Sequence, residues 1–324
     1  MLLRERDLQN SEKVSRFMQE EGFFAAEKNR AVGLEIFPKK TLSKNKLILY
    51  RLVFSRGAEK FKKNIWGKTA SAKQAKLVKV LSRGSAAPHV PFYLKYLKHL
   101  KFIFSEGIQG DSLRSFEKNL TFLGKNISAV GSMLADFQNA RIPPGVLGNY
   151  SRAQEQRFLE KSLSEIRNYS ISAGGEFEKI ARNYSEKVFS VCWNEKKFCF
   201  AHFDFQASNI FYSGEEKRFY LLDYDLAGNF NPALDAANFW VHLYVMSRYH
   251  FSRNETLRLC GKFLAGYLGK SKLKKEAKTC FGAFVQRAVI DIGKITASVF
   301  QKPSEESKAV FAKLSEIMET INKS

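Results

Sequence analysis

The chain has 324 residues, of which 44% are hydrophobic and 26% charged, with a formal net charge of +21 at pH 7. That length and apolar content can fill the core of one large two-lobed domain or two smaller ones, so a globular protein is expected. The N-terminus turns charged after three residues, and no later apolar run approaches the roughly twenty residues of a membrane span, which argues against a signal peptide or transmembrane helix and for a cytosolic protein.

Four cysteines, Cys192, Cys199, Cys260 and Cys280, form no CxxC pair and no Cys/His cluster with zinc spacing, so they read as reduced thiols rather than a disulfide framework or metal site. The charge is uneven. Between Lys39 and Lys101 there are seventeen Lys and Arg against the single acid Glu59, so most of the positive excess belongs to one segment. Such a segment attracts polyphosphates, nucleic acids or an anionic membrane surface, or else decorates a solvated face.

In chain order, residues 1–30 read as helical. "VGLEIF", "KLILYRLVF" and "EKFKKNIWG" follow as short β-rich runs separated by Lys/Ser/Asn or Gly turns, and predict a small antiparallel sheet. "SAKQAKLVKVLSR" (71–83) has the spacing of an amphipathic helix, ended by Gly84 and Pro88. "HLKFIFSEGIQGDSL" (99–113) reads as a strand running into a glycine-bearing connector. "FLGKNISAVGSMLADFQNA" carries apolar residues at three- and four-residue intervals, and helices fill about 150–190. A β-rich block returns at 198–226, where the turn "GEEK" joins "IFYS" to "RFYLLDYDLAG" in a hairpin. From residue 235 on, the pattern is helical.

The informative stretch is "AHFDFQASNIF" (201–211). It sets His202, Asp204 and Asn209 at fixed offsets between apolar runs, and the hairpin returns the chain to Asp223 fourteen residues after Asn209. Two carboxylates and an amide oxygen are hard ligands suited to Mg²⁺ with one acid left over. That is the equipment of phosphoryl transfer, in which one carboxylate takes or orients the proton of the attacking hydroxyl and the others hold metal against the phosphates.

His202-x-Asp204-x4-Asn209, followed by "LLDYD" and "NPALDAANFW", resembles the aminoglycoside phosphotransferase and choline kinase superfamily. The resemblance implies an α+β, bilobal protein-kinase-like fold with a small antiparallel-sheet N-lobe and a mainly helical C-lobe. Residues 1–108 would form the nucleotide-binding lobe and 109–324 the catalytic and acceptor-binding lobe. Carried over by position, it makes Asp204 the catalytic base, Asn209 and Asp223 the magnesium contacts and ATP the donor. His202 supports the loop, Asp225 touches the metal or is solvated, and Asp235 binds backbone amides of the loop, although an ordinary helix N-cap would also be an aspartate.

The resemblance extends to the first lobe. "FSEGIQGDSL" looks like the hinge where adenine meets the main chain, giving the Glu106 carbonyl and the Ile108 amide. The phosphate-anchoring lysine belongs on the third strand. Period-two alternation puts Phe61, Lys63 and Ile65 on one face, which favours Lys63, with Lys62 as runner-up. Two departures stand out: no GxGxxG run occurs in 31–57, and Gln74 stands where the family has a glutamate that pairs with the lysine, although an amide cannot neutralise an ammonium.

The expected reaction is ATP- and Mg²⁺-dependent phosphorylation of a hydroxyl on a small molecule of aminoglycoside, choline/ethanolamine or sugar type. Trp240, Tyr244 and Tyr249 are either core residues or an aromatic cage for choline. The alternatives are a catalytically silent kinase-like binding protein, or a kinase of a lipid-linked sugar whose basic lobe makes peripheral contact with an anionic membrane. Nucleic-acid binding has charge in its favour but no recognisable binding fold, so no obligatory nucleic-acid partner is expected.

Overall fold

The computed structural model describes residues 3–23, 30–39, 46–56 and 59–322. The chain divides into two compact units, each discontinuous in sequence: Met1–Gly110 with Ser213–Asp225, and Asp111–Tyr212 with Leu226–Ser324.

The first unit is built on a five-stranded antiparallel sheet of β1 (Arg30–Lys39), β2 (Leu47–Arg56), β3 (Glu59–Thr69), β4 (Tyr93–Leu97) and β5 (Phe102–Glu106), in the order β1-β2-β3-β5-β4. The fourth strand, "YLKYL", goes beyond the sequence reading. Only Leu97 in it is buried, so it lacks the apolar alternation that marks its neighbours. The helical reading of residues 1–30 narrows to a 3-10 turn over Glu5–Gln9 and α1 (Ser11–Glu20), with Asn10 accepting from the Lys13 amide as N-cap of α1. Part of that reading, residues 24–29, lies outside the described residues, as does the Lys/Ser/Asn turn signal at 40–45.

Each face of the sheet is covered by a different helix. Val14, Phe17 and Met18 of α1 pack with Tyr50, Leu52, Ile65, Phe102 and Phe104. The Phe17 and Phe104 ring centroids lie 5.8 Å apart. Ile103 points the other way, as strand alternation requires, and meets Ala75 and Val78 of α2 (Ala72–Leu81) with Tyr93 and Tyr96. A short later strand, Arg218–Leu221, also belongs to this unit, and His89 Nδ1 lies 2.9 Å from its Phe219 carbonyl.

The second unit is mainly helical: α3 (Leu120–Gln138), α4 (Arg152–Tyr169), α5 (Ile171–Lys187), α6 (Ala233–Ser247), α7 (Arg253–Lys270), α8 (Lys274–Phe300) and α9 (Glu305–Asn322). Gly131 lets α3 press onto α7. A Cβ there would stand 2.1 Å from the Phe263 carbonyl oxygen, so any side chain would force the helices apart. Arg287 of α8 donates to buried Glu155 of α4 at 2.8 Å, tying those helices across their core. The remaining strands are short. β6 (Asp111–Ser112) pairs with β8 (Ile210–Ser213), and β7 (Cys199–Ala201) with β10 (Gly228–Phe230), which leaves Arg218–Leu221 as β9. Among the described residues, no helix is long and apolar enough to cross a membrane.

Candidate active site

The loop between β7 and β8 carries the motif, and its backbone is fixed from below. Asp235, on the first turn of α6, is fully buried and accepts from the main-chain amides of His202 at 2.6 Å and Phe203 at 3.0 Å. Burial pushes its carboxyl up to about 7, against the pull of those two amides and of Arg287. The loop-binding role expected for Asp235 is thus visible in its geometry, and His202 is buried beneath the loop. Phe203 sits at a φ of +64°, a left-handed conformation costly for an aromatic residue. Its ring is held against Phe230, with centroids 5.8 Å apart, and against Tyr150 at 4.9 Å. This clamp sets the residue that follows.

That residue is Asp204. Both carboxylate oxygens accept from side-chain amides: Oδ1 from Gln206 at 2.7 Å and Oδ2 from Asn209 at 2.7 Å. Asn209 also donates to the Asp204 carbonyl at 2.9 Å, so the loop closes on itself and brings Asp204 and Asn209 together. Because the Asn209 Nδ2 is committed to Asp204, its Oδ1 is the atom suited to a cation.

Asp223 belongs to the first unit, where it stands two residues after β9 ends at Leu221 and takes a φ of +65°. Its partner is Lys68, whose Nζ lies 2.6 Å from Asp223 Oδ1 and 2.7 Å from Asp225 Oδ1. Burial acts to lower the Lys68 pKa, but hydrogen bonds and attraction from both carboxylates outweigh it and hold the ammonium above its ordinary value. Burial pushes the Asp225 carboxyl up, opposed by Lys68.

Lys63, the expected anchor, lies 3.3 Å from Glu106 Oε1. The reason is the face of the strand. Lys63 alternates with Ile65, which the α1 core covers, whereas Lys68 is paired in register with Ile103 on the face that α2 covers. The runner-up, Lys62, shares the parity of Lys68 but lies six residues away and is exposed. Lys68 is not singled out by the sequence reading. The available signal is that apolar Ile65 marks the α1 side of β3, so that a lysine turned towards α2 needs the opposite parity.

Gln74 is also explained by its contacts. Its Oε1 accepts from the Ser71 amide at 2.6 Å, closing the capping box of α2, while its Nε2 donates to Asp225 Oδ1 at 2.9 Å. It meets an acid rather than a lysine, which a glutamate could not do without repulsion.

At the expected hinge, the Glu106 amide donates to the Phe92 carbonyl at 2.8 Å and the Gly107 amide to the Asn64 carbonyl at 2.7 Å. Gly107 runs so close to β3 that a Cβ would stand 2.4 Å from Asn64 Cβ. Ile108 follows directly. Among the described residues, no three His, Cys, Asp or Glu side chains gather as a metal cage.

A five-stranded antiparallel sheet with a helix on each face, a mainly helical second unit and a loop holding an Asp/Asn pair are the parts of a kinase-like phosphotransferase. The chain belongs to the phosphotransferase enzyme family (APH), whose model matches residues 60–276. Similar solved structures include a spectinomycin phosphotransferase in complex with ADP and spectinomycin, at 13% identity and a TM-score of 0.59, covering 95% of this chain and 94% of that one. A Plasmodium vivax ethanolamine kinase is 14% identical with a TM-score of 0.53, covering 87% and 81%. A choline kinase from Cryptosporidium parvum is 11% identical with a TM-score of 0.54, covering 96% and 95%. At these identities the likeness establishes the protein-kinase-like fold. No curated protein matches the chain by sequence.

Proposed function

We propose that the chain transfers the γ-phosphoryl group of ATP to a hydroxyl of a small molecule, with Asp204 as the catalytic base. The observation that carries this reading is the Asp204 carboxylate itself, half-buried and oriented through both oxygens by Gln206 and Asn209 on a loop pinned to Asp235. A carboxylate has about four acceptor sites, so two amide donors orient it without exhausting its capacity for a proton. The acceptor oxygen forms a bond to the γ-phosphorus, the bond from that phosphorus to the β,γ-bridging oxygen breaks, ADP leaves, and the hydroxyl proton passes to Asp204.

Asn209 and Asp223 are the residues to hold magnesium, which when bound neutralises charge on the phosphate oxygens. We assign phosphate anchoring to Lys68 in place of Lys63, since Lys68 stands between two carboxylates, one of them the Asp223 assigned to magnesium, whereas Lys63 pairs with Glu106. The Glu106 carbonyl and the Ile108 amide remain the main-chain groups for adenine.

The test is ADP release and phosphorylated product measured over a panel of hydroxylated acceptors, comparing the wild type with Asp204→Asn. The variant is expected to lose about a hundredfold or more in kcat, the usual contribution of a positioned base, while keeping its melting temperature. A variant as active as the wild type would remove the base from the reading.

A further inference from the structure

The second unit contains a cavity of about 550 Å³ that opens beside the Asp204 loop. Gln206, Ala207 and Ser208 form one wall, and the Gln206 side chain that lines it is the one bonded to Asp204 Oδ1. A second wall is the turn after β6, docked by the Arg114 amide donating to the Ala207 carbonyl at 3.3 Å. The third is α6 and the residues just after it.

The charges on these walls are unlike those needed for an amine. Arg114 and Lys118 line the cavity and are exposed, whereas Glu117 is the single carboxylate among the described lining residues and lies 3.8 Å from His250 Nε2. Burial holds His242 below its ordinary value, so it contributes a neutral imidazole.

The aromatic residues do not compensate. Trp240 and Tyr244 stack on each other at 5.7 Å with 20° between their planes, both buried, and the Tyr244 hydroxyl donates to Glu316. Tyr249 does line the cavity, but the Lys313 ammonium already stands 3.8 Å from its ring centroid. A ring face covered by one cation cannot also receive a quaternary ammonium. Of the three, only Tyr249 reaches the cavity, and a single ring with one face already taken is not an aromatic cage.

We infer that this cavity takes an acceptor bearing an anionic group, a phosphate or carboxylate, held by Arg114 and Lys118 with its hydroxyl directed towards the Gln206 wall. The inference rests on the phosphotransfer reading and deepens it by naming a substrate class different from the ethanolamine and choline of two similar solved structures. Guanidinium and ammonium groups bind phosphate and carboxylate through charge-assisted hydrogen bonds, and the same groups repel protonated amines.

The test uses three hexoses that differ in charge: glucosamine, glucose and glucose 6-phosphate. Binding to the full chain is measured by calorimetry with saturating magnesium and a non-hydrolysable ATP analogue, so that the nucleotide's own phosphate site is filled. Glucose 6-phosphate is expected to bind at least about tenfold more tightly than glucosamine, and Arg114→Glu/Lys118→Glu should abolish or reverse that order. Equal or tighter binding of glucosamine, no measurable preference, or a preference unchanged in the double variant would overturn the inference.

Failure of the phosphotransfer reading looks different. In that case Asp204→Asn leaves ADP release unaltered, whatever the three hexoses do. Conversely, amine-bearing acceptors that are phosphorylated in an Asp204-dependent way would preserve the reaction and remove only the anionic class.

Discussion

The Asp204 loop and the Lys68 cluster solve the same problem, holding charged side chains in fixed places, by different means. The loop is held through its backbone: a buried carboxylate takes two consecutive amides, and aromatic rings clamp a left-handed residue. The Lys68 cluster is held by ions, with one ammonium between two partly exposed carboxylates. Backbone anchoring gives a fixed geometry that salt barely alters, whereas ion contacts near solvent can exchange partners and are screened. The contrast suits the roles proposed for them, a base that must stay still and a phosphate-binding group that must trade a carboxylate for an incoming anion.

The largest expected effect breaks the comparison on the ionic side. Lys68→Met should lower kcat/KM for ATP by about a hundredfold, the usual scale for losing a charged clamp on a transferring group. Lys63→Met, which removes a partly exposed pair with Glu106, should change it by no more than about threefold. Steady-state kinetics on both variants decides between the two lysines, and the reverse ranking would restore Lys63.

Next comes the backbone anchor. Asp235→Ala leaves two loop amides without their acceptor and should cost about 2–4 kcal/mol in denaturant unfolding. The same carboxylate gives a pH signature. Its value in the fold, about 7, lies above its ordinary 3.8, so the protonated form is favoured in the folded state. Its contribution is therefore fully present below about pH 4 and is lost as pH rises through about 7. Asp235→Asn, which cannot ionise, should flatten that part of the stability profile. An unchanged slope would mean that burial does not raise this carboxyl.

The smallest effect sharpens the ionic side of the comparison, at the one amide that touches the cluster's acid. Gln74→Glu keeps the acceptor of the capping box but loses the donor to Asp225 and adds a like charge. It should destabilise by about 1 kcal/mol, and added salt should recover part of that loss. A variant as stable as the wild type at low salt would show that the bond to Asp225 contributes nothing.

Legibility in the sequence follows the same division. Asp204 and Asn209 are legible because their offset is local to one loop, and Asp235 because it opens a helix with a recognisable apolar pattern. The ion cluster at Lys68 is not, because its partner Asp223 is 155 residues away and the face that Lys68 takes depends on which helix covers which side of β3. β4 escapes for a simpler reason: four of its five residues are only half-buried, so its pattern carries no clear period. The covered ring face of Tyr249 is illegible too, since Lys313 reaches it from a separate helix, α9.

The membership of residues 213–225 in the first compact unit has a consequence for biosynthesis. β9 and the two carboxylates that meet Lys68 are made about a hundred residues after the sheet of their own unit. At ribosomal speeds of roughly 5–20 residues per second, the sheet waits on the order of ten seconds for them, and Lys68 lacks both of these acids in the interval. A nascent chain halted before residue 213 would thus carry all five strands of the sheet and neither of the carboxylates that bind its lysine.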